Sequence, residues 1–308
     1  MAKPSIPTLF CINAVYGQHA AACIVSLLVN NPDLSFDIVV VSTEPLGTSE
    51  EKLKRSVARF DNCTLKVMSL GASSGMTLPV RALHYTIDTY TRLWVSDFFG
   101  EEVDRVLYLD SDMVVVAGVA DLWNTDLRDN VIAAVTIPGS TRCAAYGIPE
   151  RFGYFQSGVI VINLKRWRSE KIFDRLLDYT THNADKIVDA DQDVLNACLY
   201  DRRLPLPYVW NVIAPFYFNY HPLGISDAEL RAVRLDARII HFNGPSKPWS
   251  YLCRHPRTAD YWKYLRLTEW RDFKQPDRNF VNWGKKTFGP SVLEPMRGFY
   301  RKAKAAAR

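Results

Sequence analysis

The run VLYLDSDMVV at positions 106–115 sets two carboxylates, Asp110 and Asp112, two residues apart inside otherwise apolar sequence. Ionised acids in a buried strand cost free energy unless a cation, a donor network or solvent compensates them. Side chains two apart share one face of a strand or fan out at its end, so both can reach a single cation or a diphosphate-bound metal. Two solvated acids at a strand end would also read D-x-D; the flanking VLYL and MVVV favour a built polar feature.

Two further clusters carry compatible chemistry. In IIHFNGPSKPW at 239–249, His241 follows an apolar strand and can offer an imidazole nitrogen to a metal. Gly244 permits close approach of the backbone to a phosphate, Lys247 supplies a point charge and Pro248 fixes the chain beside it. Taken singly these are a core histidine, a turn glycine and a surface lysine; clustered, they resemble a diphosphate clamp. DADQDVLN at 189–196 gathers Asp189, Asp191, Gln192 and Asp193 at a helix start. One of these acids is expected to cap the helix, leaving the others for sugar hydroxyls.

The elements that must hold these groups are legible in the hydrophobic period. TLFCIN, FDIVVVS, TLKVMSL and DRVLYLD read as strands, and HAAACIVSLLVNN, SEEKLKRSVARF and LHYTIDTYTRLWVSDFF between them as helices. NVIAAVTI and SGVIVINL follow as strands, KRWRSEKIFDRLLDYTT and DADQDVLNACLY as helices, and RIIHFN as a late strand. This alternation predicts an open, mostly parallel α/β sheet with helices on both faces. Ligands bind beyond the carboxyl ends of such strands, where Asp110 and Asp112 would stand.

The chain has 308 residues, 48% hydrophobic and 23% charged, the composition of a folded globular protein. Its six cysteines form no C-x-x-C pair, which argues against a zinc ribbon or redox motif and fits reduced thiols. No apolar stretch is long enough to span a bilayer, and the N-terminus reads as a first strand and not as a signal peptide. The net charge is +5, and seven cations (Lys285, Lys286, Arg297, Arg301, Lys302, Lys304, Arg308) against Glu294 alone fall in residues 284–308. With Phe299 and Tyr300 among them, this tail suits either an anionic lipid surface or a solvated helix. The body shows no basic stripe, so nucleic acid is not an expected partner. The expected organisation is one α/β domain over residues 1–283 and a basic tail over 284–308.

YLDSDMVV, TYTRLW, FQSGVIVINLKRWR, DADQDVLN and HFNGPSKPW occur in the order and approximate spacing of the family 8 glycosyltransferases, which include bacterial lipooligosaccharide galactosyltransferases and glycogenin. The chain resembles that family from about residue 8 to about residue 250. The resemblance implies a type A glycosyltransferase fold, with a Rossmann-like central sheet. It also implies a Mn²⁺-dependent transfer from a nucleotide-diphospho-sugar with retention of configuration. By position it assigns Asp110, Asp112 and His241 to the metal, Gly244 and Lys247 to the donor diphosphate, and Ser111 to donor binding. Arg92, Asp191 and Gln192 fall where the family meets the donor sugar, with Gln192, and secondarily Asp191, beside the reacting carbon. Tyr16 matches a base-stacking aromatic.

Some positions depart from the pattern. Asn13 stands where the galactosyltransferases carry a uracil-binding aspartate, and Val15 replaces a neighbouring asparagine. Gln156 takes the place of a sugar-contacting asparagine, and Ile137 that of an acid on the acceptor side. The expected donor is a UDP-hexose, carrying galactose or glucose, and the expected acceptor a lipopolysaccharide or lipooligosaccharide core at the inner face of the cytoplasmic membrane. Two alternatives are a sugar-nucleotide or glycan-binding module without turnover and a haloacid dehalogenase-like phosphatase. DSDMV fits the opening motif of the phosphatases, but it follows three earlier strands instead of standing on the first.

Overall fold

A computed structural model of the chain describes residues 5–70, 87–218 and 223–288. Strand β1 (Ser5–Cys11) leads through a short 3₁₀ turn at Ala14–Tyr16 into helix α1 (Gly17–Val29). Then follow β2 (Ser35–Ser42), α2 (Thr48–Val57), β3 (Cys63–Ser69), a 3₁₀-like segment at Ile87–Asp97, β4 (Arg105–Leu109) and β5 (Met113–Val115). Next are α3 (Ala120–Trp123), β6 (Ile132–Thr136), β7 (Phe155–Asn163), α4 (Leu164–Ser169), α5 (Ile172–His182) and α6 (Ala190–Leu199). The last elements are β8 (Arg203–Leu206), α7 (Asp227–Leu235), β9 (Ile239–His241), α8 (Thr258–Leu265) and α9 (Phe280–Phe288), the last of which carries the chain across position 284.

The main sheet has the order β3-β2-β1-β4-β7-β6-β8. Neighbours are parallel except for β7, which runs antiparallel to both β4 and β6. Alternation sorts its side chains to two cores. Phe10, Leu107, Leu109, Val159 and Val161 face one core together with α1 and α2. Leu9, Val106, Tyr108, Ile160 and Ile162 face the other, with α4, α5 and α6. Helices on both faces therefore bury the sheet, as the alternating sequence requires. A separate two-stranded sheet, β5 with β9, packs with α8 and part of α1 around Phe242, Tyr261 and Tyr264.

Local chemistry explains where the sequence reading differs. The helix expected over 165–181 is two helices, because Lys171 adopts a left-handed φ of 51° at the break. The helix expected over 83–99 is described from residue 87 and is 3₁₀-like with a kink at Trp94; its Thr-rich sequence is a weak α-former. Strand β8 was not foreseen, since Pro205 masks it; at the sheet edge the missing N–H is tolerated. Helix α7 was also missed, although Ser226 caps it by accepting from Glu229 N–H in an S-x-x-E arrangement. Between β6 and β7 the register jumps from the pair Ala134 and Ile160 to the pair Val135 and Gln156. The residues of β7 thus left without β6 partners, Ser157 to Val159, bulge beside the end of β4, where Asp110 N–H donates to Gly158 O at 2.8 Å.

Candidate active site

The main-sheet strand β4 stops at Leu109, and Asp110 to Asp112 link it to β5. Antiparallel pairing sets Met113 opposite His241, and Phe242 N–H donates to Asp112 O at 2.9 Å. The imidazole is thereby delivered to the acids across a gap of 129 residues in sequence. His241 Nε2 lies 3.1 Å from Asp112 Oδ1 and 3.8 Å from Asp110 Oδ2. One ligand atom from each of the three lies within 4.8 Å of the others, the arrangement found among the described residues for a cluster of three metal-type ligands.

After β9 the chain turns through Gly244 at φ +81°; a Cβ there would touch nothing, so the left-handed backbone alone selects glycine. The turn returns Lys247, whose ammonium donates to Phe242 O at 2.9 Å and to Asp112 Oδ2 at 2.5 Å. Burial by itself would raise the Asp112 carboxyl, but Lys247 and His241 outweigh it and hold the group far below the usual range. Burial likewise opposes the Lys247 charge, and Asp112 more than compensates, raising its pKa.

Arg92 comes from the 3₁₀-like segment and is buried. Its NH2 lies 3.0 Å from Asp110 Oδ1, its NH1 donates to Ser157 O at 2.7 Å, and its plane sits 4.2 Å over the Tyr108 ring. Asp191 Oδ2 stands 2.9 Å from Arg92 Nε, yet that N–H is aligned on Thr89 O, so the contact is one of charge without an aligned hydrogen bond. Burial pushes the Asp191 carboxyl up to about 7, against the pull of Arg92. Tyr108 OH donates to Asp110 Oδ1 at 2.7 Å.

The start of α6 is held in an unforeseen way. Asp189 occupies the cap position without a side-chain bond to the helix; Asp193 reaches back and accepts from Val188 N–H at 2.7 Å and Asp189 N–H at 2.6 Å. Arg142, from the β6–β7 connection, clamps both Asp189 and Asp193 at 2.9 Å. Tyr154 OH donates to Asp193 as well. Ala190 adopts φ 48°, and Gln192, two residues on in the same turn, accepts from Ser157 N–H at 3.1 Å. Asp189 and Asp193 are thus structural, whereas Asp191 and Gln192 face the β7 bulge and Arg92.

Asn13 and Tyr16 lie just beyond the end of β1, on the same side as the acids. Asn13 Oδ1 accepts from Tyr16 N–H at 3.1 Å, and Tyr16 meets His19 and Trp249 edge-on with ring centroids 5.4 and 5.9 Å away. Ser111 is buried between the two acids. Gln156 Oε1 accepts from Gly158 N–H and, at 2.8 Å, from Asn211 Nδ2. Asn211 itself bonds His241 Nδ1 at 3.0 Å. Asn211 and Gly158 were not singled out from sequence. YVWNVIAP offers no recognisable signal for the first, and only the SG of FQSG hinted at the second.

The donor set suits a divalent cation of the manganese kind, since carboxylates and imidazole both serve such ions. Gly158 keeps room for it: a Cβ there would stand 2.6 Å from His241 Cε1 and 2.7 Å from Asp110 Oδ2. All six cysteines are free, and among the described residues no helix is long and apolar enough to cross a membrane.

A family model described as glycosyl transferase family 8 matches residues 7–253. The chain is 26% identical over 277 residues to general stress protein A of Bacillus subtilis, covering 87% of this chain and 96% of that protein. It is 28% identical over 236 residues to the lipopolysaccharide 1,3-galactosyltransferase of Salmonella typhimurium, covering 73% of this chain and 67% of that protein. The crystal structure of the galactosyltransferase LgtC in complex with donor and acceptor sugar analogs superposes with a TM-score of 0.75 at 23% identity, over 87% of this chain and 99% of that one. That likeness establishes a shared fold, the type A arrangement anticipated from the motifs.

Proposed function

The chain belongs to glycosyl transferase family 8 and is a glycosyltransferase; from that premise we propose that it moves a hexose, galactose or glucose, from a UDP-sugar to a lipopolysaccharide-type glycan, with retention of configuration. The observation that carries this reading is the convergence of Asp110, Asp112 and His241 on one point beside Lys247. The relative named as a lipopolysaccharide galactosyltransferase supports the acceptor class.

Asp110, Asp112 and His241 would hold a divalent cation, which when bound would supply positive charge where a departing diphosphate gathers negative charge, an effect of several kcal/mol in such sites. Lys247 adds a second charge there from its place on Asp112. Tyr16 and Asn13, at the end of β1, would receive the base; with Oδ1 of Asn13 bonded to Tyr16, reading falls to its amide NH₂. Arg92 bridges the two acids, 3.0 Å from Asp110 Oδ1 and 2.9 Å from Asp191 Oδ2. Asp191 is buried and faces that guanidinium, a poor setting for a nucleophile attacking a sugar carbon. Gln192, fixed by Ser157, remains as a polar group for the reacting face, so we favour front-side attack in which the departing phosphate takes the acceptor's proton. Orientation of both substrates in one cleft contributes the remainder.

We further propose that residues 1–283 act as the catalytic unit of a cytoplasmic enzyme resting on the inner leaflet. On α9, Phe280 and Trp283 are exposed and stacked at 5.6 Å, beside Lys285 and Lys286, which supports an interfacial role. The function is tested by supplying Mn²⁺ and a panel of nucleotide sugars and measuring nucleotide release with and without lipopolysaccharide core. Acceptor-stimulated release from one UDP-hexose is expected; tight binding with no release from any donor would point instead to a binding module. Truncation after about residue 284 is expected to lower retention on anionic vesicles while sparing donor hydrolysis.

A further inference from the structure

We infer that Gln156 and Asn211 are positioning residues that fix which nitrogen of His241 faces the two carboxylates, an inference that rests on the cation site proposed above. The starting point is unambiguous, because the Gly158 N–H can only donate and it lies against Oε1 of Gln156. An amide NH₂ in that place would set donor against donor, so the atom is the carbonyl oxygen. Oε1 only accepts, which makes its partner at 2.8 Å the Nδ2 group of Asn211. Asn211 therefore turns its Oδ1 to His241 Nδ1 at 3.0 Å. That oxygen only accepts too, so Nδ1 carries the ring hydrogen. With Nδ1 committed to Asn211, Nε2 is the nitrogen turned to Asp112 Oδ1 at 3.1 Å and Asp110 Oδ2 at 3.8 Å, and the one available to ligate a cation.

The outcome is that Nε2 and two carboxylate oxygens converge on one point, the donor set a divalent cation would take. Gln156, Asn211 and His241 are respectively 9%, 0% and 2% exposed, so solvent cannot replace a severed link. Gln156 stands where the family resemblance placed a sugar-contacting asparagine. Its carbonyl is instead turned back to its own strand and to Asn211, which leaves only Nε2 for a donor sugar. Partners of metal-bound histidines orient the ring and raise its basicity, and losing one costs about 10–100-fold in metal affinity.

The experiment has two arms on the full-length protein. In the metal-free wild type, long-range proton–nitrogen spectra of labelled histidine, assigned by difference from His241→Gln, are expected to show His241 with its hydrogen on Nδ1. An Nδ1 that carries no hydrogen overturns the inference without any variant having to fold. In the second arm, free Mn²⁺ is followed by electron paramagnetic resonance. Asn211→Leu and Gln156→Met are expected to bind about 10–100-fold more weakly than wild type while unfolding cooperatively. A folded Asn211→Leu protein that binds Mn²⁺ as tightly as wild type also overturns it. Failure of the wild type to bind Mn²⁺ removes the proposed cation site, whereas the tautomer arm still decides on the relay itself.

Discussion

Asp110 and Asp112 at the end of β4, and Asp191 and Asp193 at the start of α6, present the same side chains on two elements joined through Arg92, but their neighbours differ in kind. Around Asp193 every oxygen is satisfied by fixed donors: two backbone N–H groups, Tyr154 OH and the Arg142 guanidinium. At the other pair, Arg92 and Tyr108 hold Oδ1 of Asp110 and Lys247 holds Oδ2 of Asp112, while the second oxygen of each acid faces the imidazole, with a glycine keeping the space open. An acidic cluster whose charge is matched by rigid donors is a structural clasp. One that leaves an oxygen of each acid turned to an imidazole nitrogen and to no fixed donor has a place for a cation. Asp191 belongs to neither group: it is buried, close to Arg92, and without an aligned hydrogen bond at Oδ2.

The sharpest way to break this contrast is Asp112→Asn. It keeps the shape and removes a ligand, so transfer is expected to fall by at least about 10²–10³-fold with the fold intact. Wild-type-like turnover in this variant would falsify the cation site. The mirror experiment is Asp193→Ala, which strands several buried donors and is expected to cost about 2–4 kcal/mol of stability. Its Mn²⁺ affinity, measured on the folded fraction, should stay within about threefold of wild type; a collapse of affinity at unchanged stability would erase the distinction drawn here.

Asp191 offers a pH test. Its folded-state pKa of about 7 lies above the ordinary value of 3.8, so the folded protein holds this proton more tightly than the unfolded chain does. The associated stability is complete below the unfolded value and is lost as pH rises through about 7. Chemical denaturation of Asp191→Asn and wild type across that window should show the variant gaining on wild type as pH increases; a flat difference would mean Asp191 is ionised throughout. The smallest effect is expected from Tyr108→Phe, which removes one donor from Asp110 and should weaken Mn²⁺ binding by up to about tenfold. A change larger than that of Asp112→Asn would show that the hydroxyl does more than orient its neighbour.

Much of the fold was legible because the strands are two-sided. Runs such as FDIVVVS and SGVIVINL fill both faces of the sheet, and amphipathic helices between them leave few arrangements other than an α/β stack. What escaped was governed by single residues. Lys171 breaks a helix that periodicity ran straight through, and Pro205 hides an edge strand. The site was partly legible for a similar reason: D-x-D amid apolar neighbours and a histidine at the end of an apolar strand are locally conspicuous. Asn211 is not, because an asparagine in a loop has no distinctive pattern until the residue it touches is known.

The sequence by itself determined which chemical groups are present and which of them sit at strand ends, since burial of alternating apolar side chains fixes where a run must meet water or a ligand. Only the tertiary structure decided their partners. The pairing of β5 with β9 brings His241 to Asp112, and the β7 bulge brings Gly158 and Gln156 against both. Local sequence cannot specify such contacts, because a hydrogen bond or an ion pair acts over about 3 Å, while Lys247 and Asp112, which one joins at the site, are 135 positions apart along the chain.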